Sequence, residues 1–150
     1  MRAIDRMLRP FQNGPLAIAL AAVWIFLVLY TNSLPADRLP DLRSVWYKPP
    51  HADKVVHFTF YGVMAALLFN AIAPSLKRPG WHIAFRRALV IGLLVPMVLG
   101  VGDELHQLRV PGRAADVWDV AANWLGAFTA VTLASRKWRP TRHQGTQSSP

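Results

Sequence analysis

Long uncharged runs separated by short polar segments dominate the chain. The runs lie at residues 10–36, 55–76, 88–102 and 120–135. A helix needs about 20 residues to cross about 30 Å of hydrocarbon. The first two runs reach that length unaided, whereas the last two reach it only as residues 88–107 and 116–135, which include carboxylates. The pattern therefore predicts an all-α membrane protein, a bundle of four transmembrane helices.

The first run has an alternative interpretation as a cleaved signal peptide, because Arg2, Arg6 and Arg9 precede it. The run is long for that purpose, and the proline in Ser33-Leu34-Pro35-Ala36 makes this segment a poor cleavage site. We therefore expect the run to be retained as the first span.

Composition supports the membrane interpretation. Hydrophobic residues make up 53% of the chain and charged residues 17%, with a net charge of +9 and no cysteine. These values exclude a disordered polar chain, a disulfide scaffold, a thiolate zinc site and a cysteine nucleophile. The basic residues form short clusters between the apolar runs rather than one stripe, so we expect membrane lipids, and no nucleic acid, as partners.

The distribution of positive charge predicts the topology. Eleven of the 17 Lys and Arg residues lie before the first run, between the second and third, and after the fourth. Because cytoplasmic segments carry the excess of Lys and Arg, both termini should be cytoplasmic. We expect one domain over residues 1–138 and a disordered tail over residues 139–150, which is polar and holds Pro140 and Pro150.

Polar residues gather at one predicted depth. Five of the eight acidic residues lie in or beside span ends, namely Asp53, Asp103, Glu104, Asp116 and Asp119. In the predicted topology, the start of the second span, the end of the third and the start of the fourth share the outer leaflet. A charge at the bilayer centre costs at least about 2.5 kcal/mol, so these side chains should face each other across a cleft that is open to the outside.

Three ordered motifs carry a family resemblance. They are Asp53-Lys54-x-x-His57, Asp103-Glu104-x-His106-Gln107, and Pro111-Gly112-Arg113-x-x-Asp116-x-x-Asp119-x-x-x-Asn123-x-x-Gly126. Over roughly residues 50 to 130 the chain resembles the VanZ-like family of small, multi-span bacterial membrane proteins. The resemblance implies a multi-pass protein of the bacterial inner membrane. The family's namesake is associated with low-level resistance to the glycopeptide teicoplanin.

The polar residues suit hydrolysis or group transfer on a lipid-linked precursor of the cell envelope. Two carboxyl groups in unlike surroundings can serve as acid and base, and Glu104 and Asp119 are the candidates. His57 is a further proton carrier, which completes the candidate catalytic set. The candidate substrate-binding residues are Lys54 and Arg113 for a phosphate or carboxylate, Gln107 and Asn123 for orientation, and the carboxylates of Asp53, Asp103 and Asp116.

Other interpretations remain open at this stage. The charges can simply pair to specify the helix arrangement, or the cleft can bind a lipid head group or a glycopeptide without chemistry. Oxygen ligands suit Mg²⁺ or Ca²⁺, and His57 with two carboxylates suits Zn²⁺, but there is no His-Glu-x-x-His motif. We therefore predict no metal site from the sequence. The sequence makes no prediction about enzymatic activity, cofactor use or oligomeric state.

The absence of cysteine provides a direct test of the topology. Single cysteines placed along residues 103–123 should react with a membrane-impermeant maleimide added to intact cells wherever they line the outer cleft. A cysteine at Arg78, in the second predicted cytoplasmic segment, should react only after the cells are lysed. The opposite labelling pattern would reverse the predicted orientation.

Overall fold

The computed structural model describes residues 14–38, 51–72 and 81–136. These residues form four α-helices and no strand: α1 (Gly14–Ser33), α2 (Ala52–Ile72), α3 (Trp81–Gln107) and α4 (Val117–Arg136). A single 3-10 turn, Ala36–Arg38, follows α1. The prediction of an all-α fold with four helices is confirmed. The predicted tail at residues 139–150 lies outside the described residues.

The third and fourth helices extend beyond their apolar runs, as predicted. α3 ends at Gln107, and it also begins earlier than the run, so that Arg86 and Arg87 lie in its first turns. α4 begins after Asp116, whose Oδ1 accepts a hydrogen bond of 2.9 Å from the backbone N–H of Trp118. A carboxylate in this position caps the helix by satisfying one of its free N–H donors. Both helices therefore place acidic residues inside helical segments.

Three helices, α1 to α3, are long and apolar enough to cross a membrane. α4 is of similar length, but Asp119 and Asn123 lower its mean hydropathy. Both of these side chains are buried, while Leu125 and Phe128 on the outer side are about 60% exposed. An inward polar face and an outward apolar face are what a bundle in lipid requires. That α4 crosses the membrane remains our prediction, as does the orientation of the termini.

α2 lies at the centre of the bundle and packs against the other three helices. One core cluster, around Phe69 and Val131, joins α2, α3 and α4. A second, around Val28 and Tyr61, joins α1 and α2. On the same α1–α2 contact, Trp24 Nε1 donates a hydrogen bond of 2.9 Å to the carbonyl oxygen of Phe60. The central position of α2 matters because it supplies both a lysine and a histidine to the polar end of the bundle.

The backbones of α2 and α4 approach each other closely at two glycines. A Cβ atom on Gly126 would lie 2.1 Å from the carbonyl oxygen of Phe58, and one on Gly62 would lie 3.2 Å from the carbonyl oxygen of Gly126. Only glycine allows a helix crossing this close. The crossing lies one turn from Asn123, so it also sets the separation of α2 and α4 at the polar end.

We predict that Gly126→Ala destabilises the protein, because the added methyl group must push α2 and α4 apart. Overpacking of this kind costs about 1–3 kcal/mol. Thermal unfolding of the purified protein in detergent measures the effect. Gly102→Ala is the matched control, since a Cβ atom there meets nothing within 4 Å. Equal unfolding temperatures for the two variants would contradict the proposed close crossing.

Candidate functional site

The polar side chains gather at one end of the bundle, where α1 and α3 end and α2 and α4 begin. Six of the seven that are buried there come from the three motif-bearing helices, and the seventh comes from α1. They are Asn32, His57, Asp103, Glu104, Gln107, Asp119 and Asn123. Antiparallel connection of the helices explains this arrangement, because alternate helix ends meet at the same level. The start of the second predicted span, the end of the third and the start of the fourth therefore lie together, as expected from the sequence.

Lys54 is surrounded by carboxylates. Its Nζ lies 2.5 Å from Asp116 Oδ2, 2.7 Å from Asp119 Oδ1 and 3.0 Å from Asp53 Oδ2. An ammonium group has three N–H donors, and each of them has a carboxylate acceptor here. We call these four residues the lysine cluster. Lys54 was predicted to bind a substrate phosphate, but none of its N–H donors is free in this geometry. A phosphate would have to displace one of the carboxylates.

Asp116 connects the loop before α4 to the rest of the site. Its Oδ2 lies 2.5 Å from the ammonium nitrogen of Lys54, and its Oδ1 accepts the hydrogen bond from the backbone N–H of Trp118, so both carboxylate oxygens have a partner. The backbone N–H of Asp116 in turn donates a hydrogen bond of 2.9 Å to Glu104 Oε2. The same residue thus anchors both Lys54 and Glu104.

His57 lies between the carboxylates of two helices. Its Nδ1 is 3.1 Å from Asn123 Oδ1 and 3.9 Å from Glu104 Oε1, and its Nε2 is 3.7 Å from Asp119 Oδ2. The ring is largely buried, as are Glu104 and Asp119. We call His57, Asp103, Glu104 and Asn123 the histidine centre. Asp119 links it to the lysine cluster, because its two carboxylate oxygens face His57 and Lys54 respectively.

Asp103 is held by two residues that the sequence analysis did not assign to the site. Its Oδ2 accepts hydrogen bonds from the Tyr61 hydroxyl, at 3.2 Å, and from Asn32 Nδ2. Tyr61 lies one helical turn after His57 on α2, and this spacing is the signal that could have identified it. Asn32 lies in the polar segment at the end of the first apolar run, where only the fold shows that α1 contacts α3.

Three buried polar atoms have no hydrogen-bond partner among the described residues. They are Glu104 Oε1, Gln107 Nε2 and Asn123 Nδ2. A buried donor or acceptor without a partner costs about 1–3 kcal/mol, and most native structures contain only a few. Glu104 Oε1 and the Asn123 side chain lie beside His57, and Gln107 lies one turn after Glu104 on α3. This concentration indicates a place for a polar group other than those of the surrounding helices.

A glycine on α3 makes room for Asn123. A Cβ atom on Gly100 would lie 3.0 Å from Asn123 Nδ2 and 3.2 Å from Asn123 Cβ. Gly100 is one turn before Asp103 and Glu104, so any side chain at this position would push the amide away from α3. The position of Asn123, and with it the hydrogen bond to His57, therefore depends on glycine at position 100.

The other predicted site residues have different surroundings. Arg113 Nε donates a hydrogen bond of 3.4 Å to the carbonyl oxygen of Leu34, so it fastens the α3–α4 loop to the end of α1. Gln107 is buried beside Glu104 on α3, and Asp53 is exposed at the edge of the lysine cluster. The geometry brings the predicted side chains to one end of the bundle, while their catalytic and binding roles remain predictions.

The described part of the site is rich in negative charge. Five carboxylates, those of Asp53, Asp103, Glu104, Asp116 and Asp119, lie around one lysine and one histidine. Two sets of three ligand atoms lie within 4.8 Å of one another: His57 with Asp103 and Glu104, and Asp53 with Asp116 and Asp119. Such a site can exchange protons, accept hydrogen bonds from hydroxyl or amino groups, or bind a cation.

Comparison with known families identifies a match over most of the chain. The family model described as VanZ/LLP1 matches residues 7–138. No curated protein and no solved structure matches the chain. The matched region contains all four helices and every residue of the lysine cluster and the histidine centre.

We predict that Lys54→Met destabilises the protein, because it leaves Asp116 and Asp119 facing each other without a cation. The expected loss is about 2 kcal/mol, less than the roughly 3–5 kcal/mol of a fully buried pair, because the Lys54 side chain is 20% exposed. Arg87→Met, which removes an exposed cation from α3, is the control and should be nearly neutral. Equal unfolding temperatures in detergent for the two variants would show that the lysine cluster contributes no stability.

Proposed function

The chain belongs to the VanZ/LLP1 family of membrane proteins, and from this premise we propose that it acts on a lipid-linked precursor of the bacterial cell envelope. The proposed reaction is hydrolysis or group transfer at the head group of the lipid, in a polar cleft at the outer face of the inner membrane. Glu104, Asp119 and His57 are the proposed catalytic residues.

The observation that carries this proposal is the set of three unpartnered polar atoms at the polar end of the bundle, two of which belong to residues beside His57. Glu104 Oε1 can accept a proton or a hydrogen bond, whereas the amide groups of Gln107 and Asn123 can donate. A purely structural network would satisfy its own members, because unpaired buried groups are costly. A ligand with both a hydroxyl group and an acceptor oxygen would satisfy all three residues. This favours a bound substrate over packing as the reason for the cluster.

Proton transfer can be derived from the same geometry. Glu104 takes the proton of a water molecule or of an acceptor hydroxyl group as the oxygen attacks the head group. His57 then supplies a proton to the oxygen that leaves. Asp119, 3.7 Å from His57 Nε2, stabilises the positive charge of the ring before this transfer. Asn123, 3.1 Å from Nδ1, fixes the orientation of the ring.

The charge of the site narrows the substrate class. The sequence predicted that Lys54 and Arg113 hold a phosphate or carboxylate of the substrate, but aspartates occupy the donors of Lys54. A surplus of carboxylates instead favours hydroxyl and amino groups, which donate hydrogen bonds to them. We therefore propose that the group entering the cleft is a sugar or an amine-bearing portion of the envelope precursor.

An apolar groove beside the polar end supports a lipid-linked substrate. The groove has a volume of about 440 Å³ and runs along α2 and α4 from Phe58 towards Leu133. Its first residues lie next to His57 and one turn from Asn123, so a head group at the histidine centre and a hydrocarbon chain in the groove can belong to one molecule. Such a division matches a substrate with one polar and one apolar end.

Binding without chemistry is the second candidate function. The same excess of carboxylates would hold the amino and hydroxyl groups of a glycopeptide antibiotic or of a lipid head group. Protection would then rise in proportion to the amount of protein, with no new lipid or glycan species. An enzyme should change the lipid or glycan profile of the cell even at low abundance.

We predict that Glu104→Gln abolishes the effect of the protein on envelope composition and on teicoplanin susceptibility when it is expressed in a bacterial host. The substitution removes the acid–base group while keeping its size, so the variant should accumulate in the membrane at the wild-type level. Asp37→Asn is the matched control, since Asp37 is an exposed carboxylate in the turn after α1 and belongs to neither the lysine cluster nor the histidine centre. Immunoblots, lipid mass spectrometry and susceptibility assays provide the measurements.

A fully active and well-expressed Glu104→Gln variant would contradict the enzymatic proposal. Loss of protection without any change in lipid or glycan species at any expression level would favour the binding function instead.

A further inference from the structure

We propose that the histidine centre binds a divalent transition-metal ion of the zinc class, with His57 Nδ1 and the carboxylates of Asp103 and Glu104 as ligands. The site is the one described above, and the inference rests on the proposed function only for what the ion would do there. The binding itself follows from the positions and surroundings of the three side chains.

The contrast between the two acidic groups is the first argument. In the lysine cluster, the ammonium group of Lys54 lies within 3.0 Å of all three carboxylates and takes the position of a cation. In the histidine centre, Asp103 and Glu104 are only 3% and 4% exposed, and the part of the chain that the structure describes places no lysine or arginine in an ion pair with them. Two buried carboxylates without a cation are unfavourable in a medium of low dielectric constant.

The side chains are also positioned as metal ligands usually are. Their ligand atoms all lie within 4.8 Å of one another. The Oδ2 of Asp103 accepts hydrogen bonds from Tyr61 and Asn32, and the Oε2 of Glu104 accepts one from the backbone of Asp116. Outer hydrogen bonds of this kind fix the orientation of ligating carboxylates.

The second oxygen of Glu104 is the independent indication of a ligand. Glu104 Oε1 is buried, has no hydrogen-bond partner among the described residues, and lies 3.9 Å from His57 Nδ1. An unpaired carboxylate oxygen directed at an imidazole nitrogen is accounted for by an ion between them. Asn123 Oδ1 lies 3.1 Å from the same nitrogen and accepts a hydrogen bond when Nδ1 carries the ring proton. For Nδ1 to bind the ion, the ring proton must lie on Nε2, which faces Asp119 Oδ2.

Asp119 completes the arrangement on the opposite side of the ring. Its Oδ2 lies 3.7 Å from His57 Nε2, while its Oδ1 accepts a hydrogen bond from Lys54. Histidine ligands of metals commonly direct their second nitrogen towards a carboxylate, which fixes the tautomer and the ring orientation. A nitrogen with two carboxylate oxygens is a ligand set that Zn²⁺ accepts with one coordination position left for water or substrate. In the proposed function, the ion would activate that water or the substrate hydroxyl group in place of Glu104, and Glu104 and His57 would then serve as its ligands rather than as base and acid.

Metal analysis of the full-length protein tests this inference. The chain is purified in detergent, equilibrated with Zn²⁺, Mn²⁺ or Mg²⁺, freed of excess metal and analysed by mass spectrometry of the elements. The wild type should retain about one Zn²⁺ per chain, since one set of ligands is proposed, and its unfolding temperature should rise with added Zn²⁺. Mg²⁺, which prefers six oxygen ligands, should not compete.

Substitutions identify the ligands. Asp103→Asn and Glu104→Gln keep the size of each side chain and should each weaken Zn²⁺ binding more than about tenfold. Loss of a residue that only hydrogen-bonds to a metal ligand weakens binding by about tenfold or more, so loss of a ligand itself should exceed that lower limit. Asp53→Asn, in the lysine cluster, is the matched control and should bind Zn²⁺ like the wild type. The unfolding temperature of the metal-free variants verifies that each one folds.

The outcomes separate this inference from the proposed function. Wild-type protein that binds no Zn²⁺ would overturn the metal site, and so would binding that both histidine-centre variants retain. A further outcome would also overturn the metal site. In it, neither protein binds Zn²⁺, and metal-free Glu104→Gln protein unfolds at a higher temperature than metal-free wild type. That result would mean that protons, rather than an ion, neutralise the carboxylates of the histidine centre. If the wild type binds Zn²⁺ and the Glu104→Gln variant keeps the effect on the envelope, the metal site is confirmed and the proposed reaction is overturned.

Discussion

The cost of placing charged side chains in an apolar surrounding governs this fold. A carboxylate that faces lipid is unfavourable by several kcal/mol, so each of the acidic residues in the helices must find its partner inside the bundle. The antiparallel order of the four helices meets this requirement, because it places the polar ends of α2, α3 and α4 at the same end of the bundle. The outward faces can then remain apolar, as the exposed Phe26, Leu125 and Phe128 illustrate.

The polar end contains two parts with different chemistry. In the lysine cluster, each of the three N–H donors of Lys54 has a carboxylate acceptor, which is what a structural network should provide. The histidine centre leaves Glu104 Oε1 and two amide nitrogens without partners among the described residues. Asp119 belongs to both parts, because one of its oxygens faces Lys54 and the other faces His57. A change in the protonation or the ligation of His57 would therefore alter the surroundings of Lys54 through the carboxylate of Asp119.

Much of this arrangement could be predicted from the sequence, since apolar runs predict helices and helical spacing predicts which polar residues share a face. The partners of individual side chains could not be predicted in the same way. Arg113 was predicted to bind a phosphate or carboxylate of the substrate, and the sequence did not indicate that its Nε contacts the carbonyl oxygen of Leu34. Asn32 and Tyr61 were not assigned to the site, although both hold Asp103. Spacing along one helix fixes a direction, whereas a hydrogen bond between helices also depends on their separation and rotation.

That separation is set by glycine at two positions, and this connects packing to chemistry. Gly126 allows α4 to approach the backbone of α2 at Phe58, next to His57, and Gly100 allows Asn123 to lie against α3. Helices held apart by a methyl group at either position would lengthen the contacts of His57 with Asn123 and Asp119, which are 3.1 Å and 3.7 Å. Electrostatic and hydrogen-bonding energies fall steeply over such distances. The small residues of α3 and α4 are therefore part of the candidate site, even though they carry no functional group.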